Sequence, residues 1–265
     1  WELIATDSAS LDITDTEAVR NMVQSFQPDA IVNAAAFTAV DKAETDAGIA
    51  FAVNATAVHN LASAARACQA RFIHISTDYV FDGTNKTPYK EQNYTNPQSV
   101  YGRTKVAGEL LALAANPDST IIRTSWLFSE YCNNFVKTML RLAGERDSLS
   151  IVHDQTGCPT YAGDLAQAII TLLQRPVAPR GIYHYGGNRS VTWYEFAQAI
   201  FQTAQQHDPQ FKIPQLNAIT TDQYPLPAPR PAYSIMDCQK IENECGIKAS
   251  DWQKALNEII GKLDH

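Results

Sequence analysis

Short apolar runs alternate along the chain with longer stretches of helical apolar spacing. Ile4-Ala-Thr6 predicts a strand that ends in Asp7. The stretch from Asp15 to about Phe26 predicts a helix, with Thr14 or Asp15 as its cap. Ala30-Ile-Val-Asn-Ala34 follows Pro28-Asp29 and predicts a short strand, and the Ala-rich stretch from about Thr45 to Ala67 predicts a long helix. Arg71 to Ile75 reads as a buried strand, Gln98 to Ala115 as a helix and Thr120 to Thr124 as a strand. Helices follow over Asn133 to Gly144 and Ala162 to Gln174, then a strand over Ile182 to Tyr185. Two last helices cover Thr192 to about Gln206 and Asp251 to Leu263. Strands alternating with helices predict a doubly wound parallel α/β sheet. The segment Tyr224-Pro-Leu-Pro-Ala-Pro-Arg-Pro231 fits neither a regular helix nor a central strand. It is read as part of a smaller lobe that faces a ligand.

Composition narrows the function. The net charge of −7 and the lack of a basic run argue against nucleic acid and anionic membranes as partners. No apolar run approaches the length of a membrane span. No signal peptide is visible, and a cytoplasmic location is expected. The five cysteines are an odd number without a C-x-x-C pair, which suits reduced thiols better than disulfides or zinc. The six histidines are scattered, and no metal site is expected.

The chemistry concentrates in Tyr101-Gly-Arg-Thr-Lys105, which follows Ser76-Thr-Asp-Tyr-Val-Phe81. A Tyr and a Lys four apart share one helix face. An ammonium beside a phenol favours the phenolate, so Lys105 is expected to lower the pKa of Tyr101. Such a Tyr exchanges a proton with an alcohol near neutral pH. The Thr77 hydroxyl, at the end of the Arg71 strand, can hydrogen-bond the same oxygen. That is the minimum equipment for reducing a carbonyl with a nicotinamide hydride. Tyr-x-x-x-Lys alone is a weak signal, since a packed Tyr and a solvated Lys on a surface helix give the same spacing. Its position after Ser76-Thr77-Asp78 raises it, because ligands of open parallel sheets bind at the carboxyl ends of strands.

The amino-terminal region departs from a dinucleotide-binding pattern. No glycine precedes Gly48, whereas such folds carry a glycine-rich turn with an acidic residue about 20 positions later. Asp7 stands where that acidic residue belongs. The first strand and the glycine turn are therefore expected to lie outside this sequence, with residues of the parent protein missing between Leu3 and Ile4.

Several motifs together carry a specific resemblance. They are Val32-Asn-Ala-Ala-Ala36 with Thr38-Ala-Val-Asp-Lys-Ala-Glu44, Ser76 to Phe81, Val100 to Lys105, and Arg123-Thr-Ser-Trp126. Asn133-Asn-Phe135 with Thr138-Met-Leu-Arg-Leu142, Asp154-Gln-Thr-Gly-Cys-Pro-Thr160 and Arg230-Pro231 complete the set. Over essentially its whole length the chain resembles the dTDP-4-dehydrorhamnose reductases, extended short-chain dehydrogenase/reductases of nucleotide-sugar metabolism. The resemblance implies a Rossmann-like sheet. Residues 1–150 would form the dinucleotide-binding domain. Residues 151–265 would be mainly the substrate-binding lobe, with part returning to the first domain. It implies NADPH or NADH as cofactor and reduction of the 4-keto group of a dTDP-linked deoxysugar.

The same resemblance implies roles residue by residue. Tyr101 would donate the proton, and Lys105 would hold the cofactor ribose and tune Tyr101. Thr77 would bond the sugar carbonyl, and Asp78 would contact or position the sugar. Asp7, Asp12 and Ile13 would flank the adenosine end of the cofactor, and Ala36, Phe37 and Thr38 would line its path. Trp126 would pack on the deoxysugar. Asn134 would contact substrate or cap the helix that follows it, with equal weight. Arg230, in the Pro-rich loop, is the best cation for the substrate pyrophosphate in an acidic protein, with a structural salt bridge nearly as good a reading. Cys158 is expected to be a packed thiol. Some relatives bind magnesium through glutamates at a dimer contact; Gly163 stands at such a position here, so that metal site is not expected. A homodimer is left open. Two other functions share the fold: a sugar dehydratase or epimerase, and a non-catalytic regulatory subunit. Dehydratases carry Thr-Asp-Glu after the strand, and Tyr79 stands in place of that Glu.

Overall fold

A computed structural model describes residues 1–263 of the chain. After an irregular start, helix α1 (Thr16–Phe26) leads into strand β1 (Ala30–Asn33). Short helices α2 (Val40–Ala43) and α3 (Ala47–Phe51) follow, then a π-helical stretch (Ala52–Thr56) and α4 (Ala57–Ala67). Strand β2 (Arg71–Thr77), helix α5 (Val100–Ala115) and strand β3 (Thr120–Thr124) come next. The chain continues through β4 (Leu127–Phe128), α6 (Phe135–Glu145), β5 (Ser148–Val152), β6 (Thr156–Gly157), β7 (Thr160–Tyr161) and α7 (Ala162–Gln174). It closes with β8 (Gly181–His184), β9 (Val191–Thr192), α8 (Trp193–His207), β10 (Gln215–Ile219), α9 (Gln239–Cys245) and α10 (Trp252–Ile260).

The main sheet has the order β1-β2-β3-β8, all parallel. Successive side chains of a strand point to opposite faces, so one strand feeds two cores. Phe72 and Ile121 pack on one face with Val19, Val23, Val58, Leu61 and Ala112 of α1, α4 and α5. Ile73, Ile122 and Tyr183 pack on the other with Leu165, Ala168 and Leu172 of α7 and Ile241 of α9. Helices on both faces of a parallel sheet are the doubly wound arrangement. A further core joins Phe128, Val136 and Met139 to Leu149, Ile151, Phe196, Ile200, Trp252 and Leu256. It is built by α6, α8 and α10 around the parallel pair β5–β10. No helix among the described residues is long and apolar enough to cross a membrane.

Two predicted elements differ. Ile4–Thr6 forms no strand, and Ile4 is exposed. A strand exists through a ladder partner, and none of the described strands pairs with this segment. The helix predicted from Thr45 to Ala67 is broken by the π-helical stretch. There Asn54 turns inward and is fully buried. Its Oδ1 accepts from Phe37 N at 2.8 Å, and its Nδ2 donates to Phe37 O at 3.1 Å and to Thr104 Oγ1 at 3.0 Å. These side-chain bonds lock the widened turn between the loop after β1 and helix α5.

Candidate active site

The carboxyl ends of β2 and β3 lie side by side, with Thr77 opposite Thr124 in the ladder. Thr77 ends β2 and caps the 3₁₀ turn Asp78–Val80: its Oγ1 accepts from Tyr79 N at 3.2 Å and donates to Asp78 Oδ1 at 2.9 Å. Asp78 is 2% exposed and its Oδ2 has no hydrogen-bond partner among the described residues. Thr124 Oγ1, also buried, has none either. Burial pushes the Asp78 carboxyl up to about 6, although the hydroxyls of Ser234 and Thr77 oppose the rise. Two unanswered polar atoms at neighbouring strand ends are what a polar ligand would satisfy.

Helix α5 delivers Tyr101 and Lys105 to this point. Its first turn is fixed twice: Ser99 Oγ accepts from Gly102 N at 3.0 Å, and Glu44 Oε1 accepts from Val100 N at 2.8 Å. A side chain at Gly102 would run into the Tyr79 carbonyl, so only glycine lets α5 sit this close to the end of β2. Tyr101 is buried, and Tyr79 meets its ring edge-on at 5.5 Å between centroids. Burial pushes the Tyr101 phenol up to about 12; a hydrogen bond with Thr77 opposes the rise and the Asp78 charge adds to it.

Lys105 behaves differently from the sequence expectation. Its ammonium points into the protein, donating to Ile75 O at 2.7 Å and lying 3.5 Å from His74 Nε2. Burial lowers its pKa to about 8, with Glu109 opposing. The Tyr101 phenol is thus raised rather than lowered, because burial outweighs any help from an ammonium engaged elsewhere. His74 lies between Lys105 and Asn33, whose Nδ2 is 3.1 Å from His74 Nδ1. Burial first, and Lys105 second, hold His74 well below its usual range. Under the site, Arg123 clasps Glu109 through Nε at 2.8 Å and Nη2 at 2.6 Å, and Ser76 Oγ donates to Glu109 Oε1 at 2.5 Å. The sequence reading gave no place to His74 and Glu109, and gave Arg123 a place in a motif but no role. Their signal was there, in polar residues interrupting the apolar strands Arg71–Ile75 and Thr120–Thr124 and the buried face of α5.

The remaining sequence-predicted residues lie in several places. Trp126 lies two residues beyond β3 and stacks on Trp193. Ala36, Phe37 and Thr38 form the loop after β1, with Phe37 clamped by Asn54. Asp7, Asp12 and Ile13 precede α1; Asp7 bonds Ser10 and the amide of Ala9, and Asp12 bonds Thr14. Asn134 caps α6, its Oδ1 accepting from Lys137 N at 3.3 Å while its Nδ2 donates to Ser129 O at 2.7 Å. Arg230 binds Asp41 at 2.6 Å and the Ala228 carbonyl at 2.9 Å. Cys158 is buried, and burial pushes its thiol up to about 12. A separate cleft of about 380 Å³, lined by Tyr161, Asp164, Tyr185, Lys248 and Asp251 among others, contains none of the predicted site residues.

A Tyr, a Thr and a buried acid converging at strand ends is geometry that comparison with known proteins can place. The family model described as the RmlD substrate binding domain matches residues 1–265. The chain belongs to that family. It is similar to a dTDP-4-dehydrorhamnose reductase of Aggregatibacter actinomycetemcomitans, with 47% identity over 98% of this chain and 90% of that protein. Among solved structures, the dTDP-4-dehydrorhamnose reductase of Bacillus anthracis str. Ames, in complex with NADP, has a TM-score of 0.93 and 35% identity. That match covers 99% of this chain and 91% of the other. A dTDP-glucose 4,6-dehydratase of Streptomyces venezuelae shares the fold at 20% identity and a TM-score of 0.78, covering 94% of this chain and 76% of its own.

Proposed function

We propose that this protein reduces the 4-keto group of a dTDP-linked 6-deoxysugar, dTDP-4-dehydrorhamnose, with NADPH. The observation that carries the reading is the meeting of Tyr101, Thr77 and the half-satisfied Asp78 at the ends of β2 and β3. Its family membership and the NADP complex of its relative support it.

The residues fit a nicotinamide cofactor at the sheet. Beyond β1, Ala34 and Ala35 are exposed and carry only methyl groups, so the carboxyl end of that strand leaves room for a flat ligand. Ala36, Phe37 and Thr38 would line its path, Asp7, Asp12 and Ile13 would flank the adenosine, and Lys105 would hold the ribose by turning its ammonium out from the Ile75 carbonyl. NADPH, when bound, supplies the hydride to the carbonyl carbon. Tyr101 gives its phenolic proton to the carbonyl oxygen, and the Thr77 hydroxyl turns from Asp78 Oδ1 to donate to the same oxygen as charge grows there. A phenol held at about 12 is fully protonated at neutral pH and therefore in the donating form. Asp78, through its unpaired Oδ2, accepts a hydroxyl hydrogen of the sugar and fixes the ring. Trp126, Asn134 and Arg230 complete the substrate side. Residues 1–150 hold mainly the cofactor and 151–265 mainly the substrate, and the reading carries a cytoplasmic location and admits a homodimer. Tyr79 stands where elimination would want a further carboxylate, which favours reduction over dehydration.

Steady-state NADPH oxidation with the keto-sugar nucleotide tests this. Tyr101→Phe keeps the ring and removes the proton, so turnover is expected to fall by roughly two to four orders of magnitude, with cofactor affinity unchanged. Near-normal turnover in Tyr101→Phe would refute the assignment.

A further inference from the structure

Trp126 has a backbone φ of 48°, in the left-handed region. For a bulky residue this is an outlier that persists only where its surroundings over-determine it. Two neighbours do so. The Trp193 ring lies face to face with the Trp126 ring, 3.5 Å between centroids and 7° from parallel. On the other contact, a methyl group at Gly157 would sit 2.5 Å from Trp126 Cε2, so the indole occupies the space a side chain would need. Gly157 lies in a two-stranded ladder, paired with Val191 beside the Thr156–Thr192 pair, and Trp193 directly follows the second strand of that ladder.

That ladder reaches the reaction site from its far edge. Thr156 O accepts from Ser234 N at 2.9 Å, and the Ser234 hydroxyl faces Asp78 and opposes the rise of its carboxyl. On its other side Trp193 opens α8, capped reciprocally by Thr192 and Glu195, and packs on Phe135 at 4.6 Å and on Phe196. Both indoles pack against the core of α6, α8 and α10, Trp193 from the first position of α8 and Trp126 from just beyond the end of β3. Each indole is only half-buried, so ring surface remains accessible. An indole face suits the apolar face of a 6-deoxyhexose.

We propose that Trp193 is a positioning residue that sets the Trp126 ring, so that the pair forms one aromatic wall for the deoxysugar. This rests on the reductase reading above. The wall stands on the one core of α6, α8 and α10, with one ring supplied from the end of β3 and the other from the start of α8. Trp193 acts on the sugar and on neither the nucleotide nor the cofactor.

The test combines spectroscopy with a split of binding parameters. Stacked indoles couple and give paired far-ultraviolet dichroism bands; these are expected in the wild type and lost in both Trp193→Leu and Trp126→Leu. Trp193→Leu is expected to raise the KM for the keto-sugar nucleotide about five- to tenfold, the scale of one aromatic contact. Affinity for dTDP alone and the KM for NADPH stay within about twofold. Trp193→Phe, which keeps a ring in the same core, restores most of the sugar affinity and serves if the Leu variant does not fold. Equal weakening towards dTDP and the dTDP-sugar, or an unchanged sugar KM with the dichroism lost, overturns the proposal. A wild type that does not turn over the keto-sugar overturns instead the reading on which it stands.

Discussion

Asp78 holds a charge at 2% exposure with one oxygen unpaired, and this has a measurable consequence. Its carboxyl sits at about 6 in the fold against 3.8 for the free group. Between those values the folded state binds more protons than the unfolded chain, so raising the pH through this window costs stability. The cost is complete above about pH 6 and vanishes below the unfolded value; the shift is worth roughly 3 kcal/mol at most. Asp78→Asn, measured without ligand, is therefore expected to raise Tm by a few degrees at pH 7.5. The gain should shrink as the pH falls towards 5. A gain that ignores pH, or no gain, would show that the carboxylate is solvated after all. The same variant should lose turnover, the trade expected where function needs an unsatisfied group. The Thr77-Asp78 pair was legible in the sequence, as were Tyr101 and Lys105. The direction of the Tyr101 shift was not. Four-residue spacing tells which face two side chains share, but not that the longer one turns inward to a strand carbonyl.

At the scale of elements, α5 shows how a motif residue without functional atoms can control the site. Gly102 permits the close approach to Tyr79, and a methyl there meets backbone rather than a flexible side chain. Gly102→Ala is expected to cost about 1–3 kcal/mol by overpacking and to lower turnover as Tyr101 and Lys105 shift together. Gly144→Ala is the control. It lies in α6 with open space around it, and should stabilise the protein by about 0.5–1 kcal/mol through helix propensity. Equal effects of the two on unfolding would remove the steric argument. Most helices and main strands were legible because their periodicity is strong and their caps are chemically plain: Asp15, Ser99, Asn134, Thr192 and Asp251 each accept a backbone hydrogen bond. The π-helical stretch was not. The Ala-rich run reads as continuous helix, and only the tertiary bonds of Asn54 to Phe37 and Thr104 widen the turn. The parallel pair β5–β10 was equally hidden, since more than sixty residues separate its strands and neither has a neighbour in the main sheet.

On the scale of the whole molecule, an acidic protein must gather an acidic substrate. The net charge is −7, so any attraction for a pyrophosphate is local. Arg230 stands out because the Pro-rich segment brings it back across 189 residues to Asp41, beside the loop after β1. Asp41 holds both the guanidinium and the Ala228 amide, at 2.6 and 3.1 Å, so the pair straps the Pro-rich segment to α2. The sequence presented the ligand and strap readings of Arg230 as near equals, and no local pattern could name a partner so distant. Paired variants separate them. If the pair is only a strap, Arg230→Ala and Asp41→Asn both loosen the segment, and both raise the KM for the dTDP-sugar. If Arg230 also meets the pyrophosphate, the two move in opposite directions. Arg230→Ala removes a charge-assisted contact and raises the KM about tenfold or more. Asp41→Asn keeps a hydrogen-bonding side chain but stops neutralising the guanidinium, and lowers the KM. The difference should fade at high salt, because the interaction lies at a partly exposed site where ions screen it. We expect opposite signs, and like signs from steady-state kinetics at low ionic strength would reduce Arg230 to a strap.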